Sequence, residues 1–319
     1  MKICVYGAGA IGGLFAAKLS ASGQTVTVIA RGHTLSELKR NGIGLKSGAD
    51  CQFYPVQVAD NAGEVGVQDL IIISVKQPDL NVILHQIAPM LGPQTKVLLA
   101  MNGVPWWFLD GLVEDSRLKT LDSDNHLSDL LPTQHILGCV VHLACTNPSP
   151  GVCELKGGNH LIIGQPDGQL SPALHEIAKG LSSAGFDVTQ TENIRADIWY
   201  KLWGNMTMNP VSALTRTTTD KILDDSLVNA FCCQVMNEAA QIGNKVGCTL
   251  DQTPEQRNKT TRELGPIRTS MLQDAEKGKP LEYEALVGAV YEMAEKLGIE
   301  APNLSVLYGL IRLYAGNNA

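Results

Sequence analysis

Three polar residues recur at helical spacing inside an apolar stretch, DIWYKLWGNMTMNP at residues 197–210. Lys201, Asn205 and Asn209 stand four residues apart, so at about 100° per residue they fall within an arc of roughly 80° on one face of a helix. The tryptophans, leucine and methionines around them leave little of the circumference fit for water. This favours an internal cleft over the alternative, a solvated helix face. A lysine desolvated in such a cleft has a lowered pKa, which suits proton transfer near neutral pH.

A glycine pattern, GAGAIG at residues 7–12, comes directly after the β-like run KICVY. In a GxGxxG pattern the first glycine permits a tight turn, the second lets the backbone approach a pyrophosphate, and the third lets helix pack on strand. The run TVTVIA follows at the distance expected of a βαβ unit, so the pattern predicts a dinucleotide-binding turn. The residues assigned to this turn are Gly7, Ala8, Gly9, Ala10, Ile11 and Gly12.

The end of the second β-like run bears on which nicotinamide dinucleotide is bound. An NAD site usually places Asp or Glu there to bind the ribose 2′-hydroxyl. This chain has Ile29, Ala30 and Arg31 instead. An arginine can pair with a 2′-phosphate and stack on adenine, so the sequence favours NADP(H). The alternative is an ordinary solvated arginine.

These residues need a framework, and the first part of the chain alternates short β-rich runs with helical patterns. Such alternation predicts parallel strands with crossover helices, and the runs GIGLKSG and CQFYPVQV indicate an inserted hairpin. From about Asn193 the pattern becomes helical, with segments near 195–214, 225–247, 254–277, 280–297 and 302–315. We therefore expect an NADP-binding, Rossmann-type doubly wound α/β domain at 1–190 and an all-α substrate and catalytic domain at 191–319.

Composition limits the classes of function and partner. The 319 residues are 44% hydrophobic and 18% charged, which suffices for two domains with separate cores. A formal net charge of -7 provides no overall basic field for nucleic acid or anionic lipid. The N-terminus superficially resembles a signal peptide, but its glycines are better explained by the dinucleotide turn. Because no apolar run of about 18 residues is present, we expect no membrane span and a cytoplasmic protein.

The eight cysteines form no CxxC pair and have no histidine spacing suited to zinc, so we expect no metal site. We expect the cysteines to be small, buried, apolar residues of a protein in a reducing compartment.

Six motifs are spread along the chain: GAGAIGG, SVK at 74–76, NG at 102–103, NIRADIWYKLWGNMTMNPVSAL at 193–214, SMLQD at 270–274 and GKPLE at 278–282. On these motifs the sequence resembles the ketopantoate reductase (2-dehydropantoate 2-reductase) family over nearly its whole length. The resemblance implies an NADPH-dependent reductase of a small 2-oxo acid, with ketopantoate as the leading substrate, in pantothenate and coenzyme A biosynthesis. Two alternatives stay open: a paralogue that reduces another 2-oxo acid or oxidises a 2-hydroxy acid, and a non-catalytic NADP(H) sensor.

The resemblance also implies roles for individual residues on the substrate side. By it, Lys201 is the catalytic acid/base that protonates the substrate oxygen as hydride arrives, and Glu282 is the active-site glutamate. Asn205 and Asn209 orient the substrate, and Ser270 binds its carboxylate. Hydride addition places negative charge on the oxygen, which a nearby ammonium stabilises.

On the cofactor side the resemblance implies four further contacts. Asn102 lies between nicotinamide and substrate and contacts both. Lys76, the backbone of Ala144 and Glu282 contact the dinucleotide. Without the resemblance, Lys76 and Asn102 would read as residues at strand ends, and Glu282 as a solvated helix residue.

Departures from the family pattern fall on substrate-binding positions. The chain has LEYEALVG where the family commonly has TEIDYING, and it lacks two expected asparagines. The four positions affected are Thr219, Ile267, Ala285 and Val287. Trp106 and Trp107, which follow the NG loop, either fill a core or interface or wall the substrate cleft. The apolar C-terminal helices would allow a homodimer.

Overall fold

The computed structural model describes residues 1–124 and 126–317. The chain divides into an α/β unit and a helical unit, and each is formed by two stretches of chain. The α/β unit comprises Met1–Met101 and His126–Ile194. The helical unit comprises Asn102–Asn125 and Arg195–Ala319. This architecture confirms the predicted fold class, a Rossmann-type α/β part combined with an all-α part.

The units divide the chain differently from the predicted domains, residues 1–190 and 191–319. The change to the helical unit falls after Ile194, and the segment that follows Met101 also belongs to the helical unit. No sequence pattern in the segment that follows Met101 indicated this assignment. That residues 1–190 bind NADP and that residues 191–319 form the substrate and catalytic domain stays a prediction.

In the described part of the chain, the α/β unit contains one sheet of ten strands. Its strands are β1 (Ile3–Tyr6), β2 (Val26–Ile29), β3 (Ile43–Ser47), β4 (Asp50–Tyr54), β5 (Gln57–Ala59), β6 (Leu70–Ile73), β7 (Lys96–Leu99), β8 (Ile136–Ser149), β9 (Val152–Gly164) and β10 (Asp187–Gln190). Their order is β4-β3-β9-β8-β7-β6-β1-β2-β5, with β10 beside β9. β1, β2, β6 and β7 pair in parallel, and their side chains are almost all buried. Burial on both faces explains why these strands read as continuous apolar runs.

The predicted hairpin is confirmed, because β3 and β4 pair antiparallel with Ile43 opposite Tyr54. The second run of that prediction extends too far. Pro55, which has no N–H to donate, follows β4, and the residues beyond it form β5, which pairs in parallel with β2. Residues 152–164 form one long strand, β9, which is antiparallel to β8.

Helices cover the sheet of the α/β unit. They are α1 (Ala10–Ala21), α2 (Gly32–Asn41), α3 (Gln77–Ile87), α4 (His126–Leu130) and α5 (Pro172–Ser183), with short 3₁₀ turns at 62–64, 88–90 and 133–135. Leu14, Phe15 and Leu19 of α1 are fully buried in the core of this unit. Ser171 caps α5, since its hydroxyl accepts a hydrogen bond from the N–H of Leu174.

The helical unit contains α6 (Ile194–Thr215), α7 (Thr219–Asp224), α8 (Ser226–Lys245), α9 (Pro254–Glu263), α10 (Ser270–Glu276), a π turn (Glu284–Gly288), α11 (Ala289–Leu297) and α12 (Pro302–Asn317). The predicted helix 254–277 is in fact two helices, because Gly265 adopts φ 79° and Pro266 follows it. The predicted helix 280–297 starts later and opens with the π turn.

Within the described ranges, no helix has the length and apolarity needed to cross a membrane. The eight cysteines are free thiols. Five of them are buried as expected, namely Cys4, Cys139, Cys153, Cys232 and Cys248. The expectation of buried thiols is wrong for Cys51, which is exposed.

Candidate active site

The glycine turn joins β1 to α1 and has the steric properties that the motif predicts. Gly7 adopts φ 96°, a backbone conformation that residues other than glycine rarely adopt. A Cβ atom on Gly12 would lie 2.0 Å from the carbonyl oxygen of Gly7 and 2.4 Å from the hydroxyl oxygen of Ser74. A Cβ on Gly9, by contrast, would have no heavy atom within 4 Å. The turn is therefore tightly packed on its inner side and open at Gly9, where α1 begins.

A cavity of about 720 Å³ opens at this turn, within the size range of small-molecule sites. Its lining brings together the predicted Gly7, Ala8, Gly9 and Arg31 with residues that the sequence did not indicate. The added residues lie on α2, on α3, at the end of β8 and in the turn between β8 and β9: Thr34, Asp79, Val82, Ile83, Asn147, Pro148, Ser149, Pro150 and Gly151. The motif NPSPG signals a turn, but nothing in the sequence places that turn opposite the glycines.

Arg31 follows β2 and is the N-cap residue of α2. Its Nη2 donates a hydrogen bond of 3.1 Å to Oε1 of Gln86 on α3. The hydroxyl of Tyr6, the last residue of β1, donates a short hydrogen bond to the same oxygen. Burial raises the pKa of Tyr6, and the nearby Arg31 charge partly counters that effect. The guanidinium is exposed yet held at the cavity.

Lys76 and Ala144, the predicted cofactor residues of this unit other than Arg31 and the glycine turn, lie beside the turn without lining the cavity. Lys76 is half-buried and is the N-cap residue of α3, one residue after Val75, which does line it. Ala144 is exposed on β8, where it pairs with Gly157 of β9. Its neighbour Cys145 donates a hydrogen bond of 3.2 Å to the carbonyl of Ala10, and so joins β8 to the start of α1.

The polar stripe lies on α6, whose residues from 202 to 213 are all buried except Asn205. Lys201 and Asn205 are half-buried and Asn209 is only 6% exposed, so the stripe is not a solvated face. The Nζ of Lys201 donates a hydrogen bond of 2.7 Å to Oδ1 of Asn102. In the part of the chain that the structure describes, the carboxamides of Asn205 and Asn209 have no hydrogen-bond partner. Two amide groups are therefore available to a ligand beside the lysine.

The π turn fixes the position of Asn102. The N–H of Val104 donates a hydrogen bond of 2.8 Å to the carbonyl of Ala285, inside the π turn. Gly103 adopts φ 87°, and a Cβ there would lie 2.6 Å from the same carbonyl oxygen. Only glycine allows this approach of the two backbones. Asn102, at the start of the helical unit, is thus placed by Ala285, which lies far along the chain.

The rest of the segment after Asn102 is also anchored within the helical unit. Arg195 of α6 donates hydrogen bonds to the carbonyls of Phe108 (2.8 Å) and Asp110 (2.9 Å). The carboxylate of Glu292 on α11 accepts from the N–H groups of Lys119 (2.7 Å) and Thr120 (2.8 Å). These contacts explain why the segment groups with the helices rather than with the sheet.

The predicted Glu282 and Ser270 lie on separate elements. Glu282 is half-buried, two residues before the π turn. Ser270 is exposed and is the first residue of α10, which is capped by the hydroxyl of Thr269. Among the described residues, no hydrogen bond joins Ser270 to the other predicted site residues. The structure thus brings Lys201 and Asn102 into contact but does not link Ser270 to them.

The four positions that depart from the family pattern fall into two pairs. Thr219 and Ile267 contact each other: the N–H of Thr219 donates to the Ile267 carbonyl (3.0 Å), and the N–H of Ile267 donates to the Thr219 hydroxyl (3.2 Å). Ala285 and Val287 are buried within the π turn. The changes are therefore concentrated at two places in the helical unit.

Trp106 and Trp107 are both buried, and their indole N–H groups have no partner among the described residues. The guanidinium carbon of Arg195 lies 5.6 Å from the centroid of the Trp107 ring. Of the two interpretations that the sequence left open, this supports core packing.

Comparison with known proteins gives a consistent result. Family models described as "Ketopantoate reductase PanE/ApbA" and "Ketopantoate reductase PanE/ApbA C terminal" match residues 3–168 and 193–315. The chain is similar to a 2-dehydropantoate 2-reductase of Mesorhizobium japonicum, at 36% identity over 99% of this chain and 98% of that protein.

Two solved structures are similar to this chain over almost its whole length. A Ralstonia solanacearum protein assigned as a ketopantoate reductase is 46% identical, with a TM-score of 0.95, over 99% of this chain and 98% of that one. D-mandelate dehydrogenase, solved with NADH and anilino(oxo)acetate, shares the fold at a TM-score of 0.84 and 22% identity. That comparison covers 100% of this chain and 99% of the other.

Proposed function

The chain belongs to the ketopantoate reductase family, and on this premise we propose that it reduces 2-dehydropantoate to pantoate with NADPH, a step of pantothenate and coenzyme A biosynthesis. Its relatives place it among the oxidoreductases that act on CH–OH groups. The observation that carries the proposal is the 2.7 Å hydrogen bond from Lys201 to Asn102. It lies at one end of a stripe with two carboxamides that have no hydrogen-bond partner among the described residues.

The glycine turn fits a dinucleotide. Gly9 leaves open space at the first turn of α1, where backbone N–H groups and the helix dipole favour the pyrophosphate. Arg31 lines the same cavity and supplies the charge that a 2′-phosphate requires. Gly7, Ala8, Gly9, Ala10, Ile11, Gly12, Arg31, Lys76, Asn102, Ala144 and Glu282 are the residues that we propose to bind the cofactor. When bound, NADPH supplies the hydride for the 2-oxo carbon.

Lys201 holds the proton that the reduction needs. As negative charge develops on the substrate oxygen, the ammonium stabilises it and then transfers a proton to it. Asn102 accepts a hydrogen bond from Nζ, which restricts the directions in which the ammonium points. We propose that Glu282 favours the charged form of the lysine, as a nearby carboxylate does.

The carboxamides of the stripe orient the substrate. A buried polar group without a protein partner is costly unless a ligand or water satisfies it, so Asn205 and Asn209 are suited to binding a polar substrate. Ser270, exposed at the start of α10, is proposed to bind the substrate carboxylate. Catalysis then depends on holding the 2-oxo group against Lys201.

A single assay tests the reaction. Purified protein is mixed with NADPH and a panel of 2-oxo acids, aldehydes and ketones, and the loss of NADPH absorbance is followed. We expect turnover of small 2-oxo acids, with ketopantoate the best substrate. Turnover of uncharged carbonyl compounds alone would contradict the carboxylate-binding role, and the absence of any turnover would favour the NADP(H) sensor.

Cofactor preference is tested separately. The wild type should bind NADPH more tightly than NADH, and Arg31→Asp should abolish or reverse that preference. Arg40→Asp is the matched control, because Arg40 is exposed on α2 and pairs with Glu37 away from the cavity. Equal use of both dinucleotides by the wild type would refute the NADP(H) assignment.

A second candidate is a paralogous 2-oxo acid reductase or 2-hydroxy acid dehydrogenase. It is favoured by the changes at Thr219, Ile267, Ala285 and Val287, because a site built around hydrogen-bonding groups discriminates strongly against substrates that leave them unpaired. In the panel, a bulkier or more apolar 2-oxo acid would then be turned over faster than ketopantoate.

Two expectations about partners and location stay predictions. Val306, Leu310 and Leu313 are exposed along one side of α12, and such an apolar stripe would suit a homodimer. The acidic composition favours small molecules over nucleic acid, and we expect the reaction to take place in the cytoplasm.

A further inference from the structure

Gln86 lies on α3 outside every motif of the sequence, yet it holds the arginine on which dinucleotide preference depends. Its Oε1 accepts one hydrogen bond from Arg31 Nη2 (3.1 Å) and a second from the hydroxyl of Tyr6. Arginine has only donors, so the oxygen of the carboxamide, not its nitrogen, must face Arg31. With the oxygen so placed, Tyr6 must be the donor in the second bond. The chemistry of the three groups therefore admits a single arrangement.

The base of this arrangement is rigid. Tyr6 ends β1 and is 4% exposed, and it is followed directly by Gly7 of the dinucleotide turn. Gln86 is half-buried near the end of α3. Arg31 itself is exposed, so without an acceptor its long side chain would sample many rotamers. The hydrogen bond to Gln86 uses one N–H of the guanidinium and leaves the others for an anion.

The lining of the cavity contains side chains of opposite charge. Among the described residues that line it, Arg31 is the only cation and Asp79 the only carboxylate. A 2′-phosphate is attracted by the first and repelled by the second, whereas a 2′-hydroxyl can donate a hydrogen bond to a carboxylate. With Asp79 present, preference for a phosphorylated ribose requires that the arginine be held in place.

We propose that Gln86 is a positioning residue that sets the preference for NADPH over NADH, by fixing the Arg31 guanidinium at the cavity against the opposing charge of Asp79. The inference rests on the proposed NADP(H) use. It differs from the family's glycine and arginine signature because neither Gln86 nor Tyr6 belongs to that signature in the sequence.

The decisive variant is Gln86→Met, which keeps the length of the side chain and removes the acceptor. Dissociation constants for NADPH and NADH are measured by calorimetry, without substrate. The variant loses the charge-assisted hydrogen bond that holds Arg31, so we expect NADPH binding to weaken about tenfold. NADH binding should stay within about twofold of wild type, because NADH has no 2′-phosphate for Arg31 to bind. Asn81→Met is the matched control, since Asn81 is exposed on the same helix and does not line the cavity.

Two further variants complete the test. Tyr6→Phe removes the second donor to Gln86 and should lower the NADPH preference by about threefold. This variant keeps the proposal testable if the melting temperature of Gln86→Met shows that it is not properly folded. Asp79→Asn should raise the preference by a similar factor, because the repulsion of the 2′-phosphate is gone.

The outcomes separate this inference from the proposed function. A wild type that shows no preference for NADPH refutes the NADP(H) assignment itself. A wild type that prefers NADPH, together with a folded Gln86→Met variant whose ratio of NADPH to NADH affinity is unchanged, overturns the role of Gln86 alone. An unchanged ratio in Asp79→Asn overturns the opposing role of Asp79.

Discussion

The glycine turn of the α/β unit and the polar stripe of α6 in the helical unit are built from different parts of the polypeptide. The turn consists of backbone, and its glycines all lie within residues 7–12. The site around α6 consists of side chains, and its central hydrogen bond joins residues 102 and 201. A backbone site is damaged by adding atoms, whereas a side-chain site is damaged by removing them. The following predictions test this distinction.

The largest effect is expected for Lys201→Ala. If Lys201 supplies the proton, kcat should fall roughly 10²- to 10⁴-fold, as expected for a general acid, while NADPH affinity changes little. Rates, NADPH affinity and melting temperature are measured on one preparation. A well-folded variant with near-normal turnover would show that the stripe is structural and end the catalytic interpretation.

The same contrast explains what the sequence could predict. GxGxxG acts within a few residues, so its location, the strand before it and the helix after it follow from local pattern. The stripe of α6 is also a local pattern. The contact of Lys201 with Asn102 is not, because it depends on the docking of Gly103 on the π turn. Only the resemblance to a family indicated that these residues belong together.

Other features of the site had no sequence signal at all. Gln86 is an ordinary residue of an amphipathic helix, and its role follows only from the register of α3 against β1 and β2. The helix predicted over 254–277 was wrong at Gly265 because helical periodicity continues on both sides of the break. Departures from local pattern thus appear where distant segments meet.

Gly103→Ala should have the next largest effect, and it tests whether a side-chain site can also be damaged by adding an atom. Its Cβ would lie 2.6 Å from the Ala285 carbonyl oxygen, so the loop must shift and carry Asn102 with it. Misplacement of about 1 Å can lower the rate by about 10²-fold, and we expect a loss in kcat of about 10- to 100-fold. NADPH affinity should fall by a smaller factor, because Asn102 is only one of the residues that we propose to bind the cofactor.

Gly111→Ala is the matched control for that variant. Gly111 lies in the same segment at φ 73°, and its Cβ would meet nothing within 4 Å. Both variants therefore impose similar backbone strain, and only Gly103→Ala adds a collision. Equal losses of kcat in the two would mean that strain, not the displacement of Asn102, is responsible.

Two glycines of the turn should respond differently to the same substitution. Gly12→Ala places a Cβ 2.0 Å from the Gly7 oxygen and should lower the free energy of unfolding by roughly 1–3 kcal/mol, as overpacking does. Gly9→Ala meets no protein atom and should leave the melting temperature unchanged, but weaken NADPH binding about tenfold by occupying the space of the pyrophosphate. Unaltered NADPH affinity in Gly9→Ala would exclude the open side of the turn as the dinucleotide site.

The smallest effect is expected for Asn205→Ala, and it distinguishes a carboxamide kept for substrate from one kept for structure. A structural carboxamide would be hydrogen-bonded in the protein, and its removal would lower the melting temperature. Asn205 is half-buried without a partner among the described residues, so its removal breaks no hydrogen bond of the folded chain. We therefore expect an unchanged or slightly raised melting temperature together with a KM for the 2-oxo acid raised about two- to tenfold, the contribution of one hydrogen bond. Asn237→Ala, at an exposed position of α8, is the control, and a fall in melting temperature with an unchanged KM in Asn205→Ala would assign the stripe to packing.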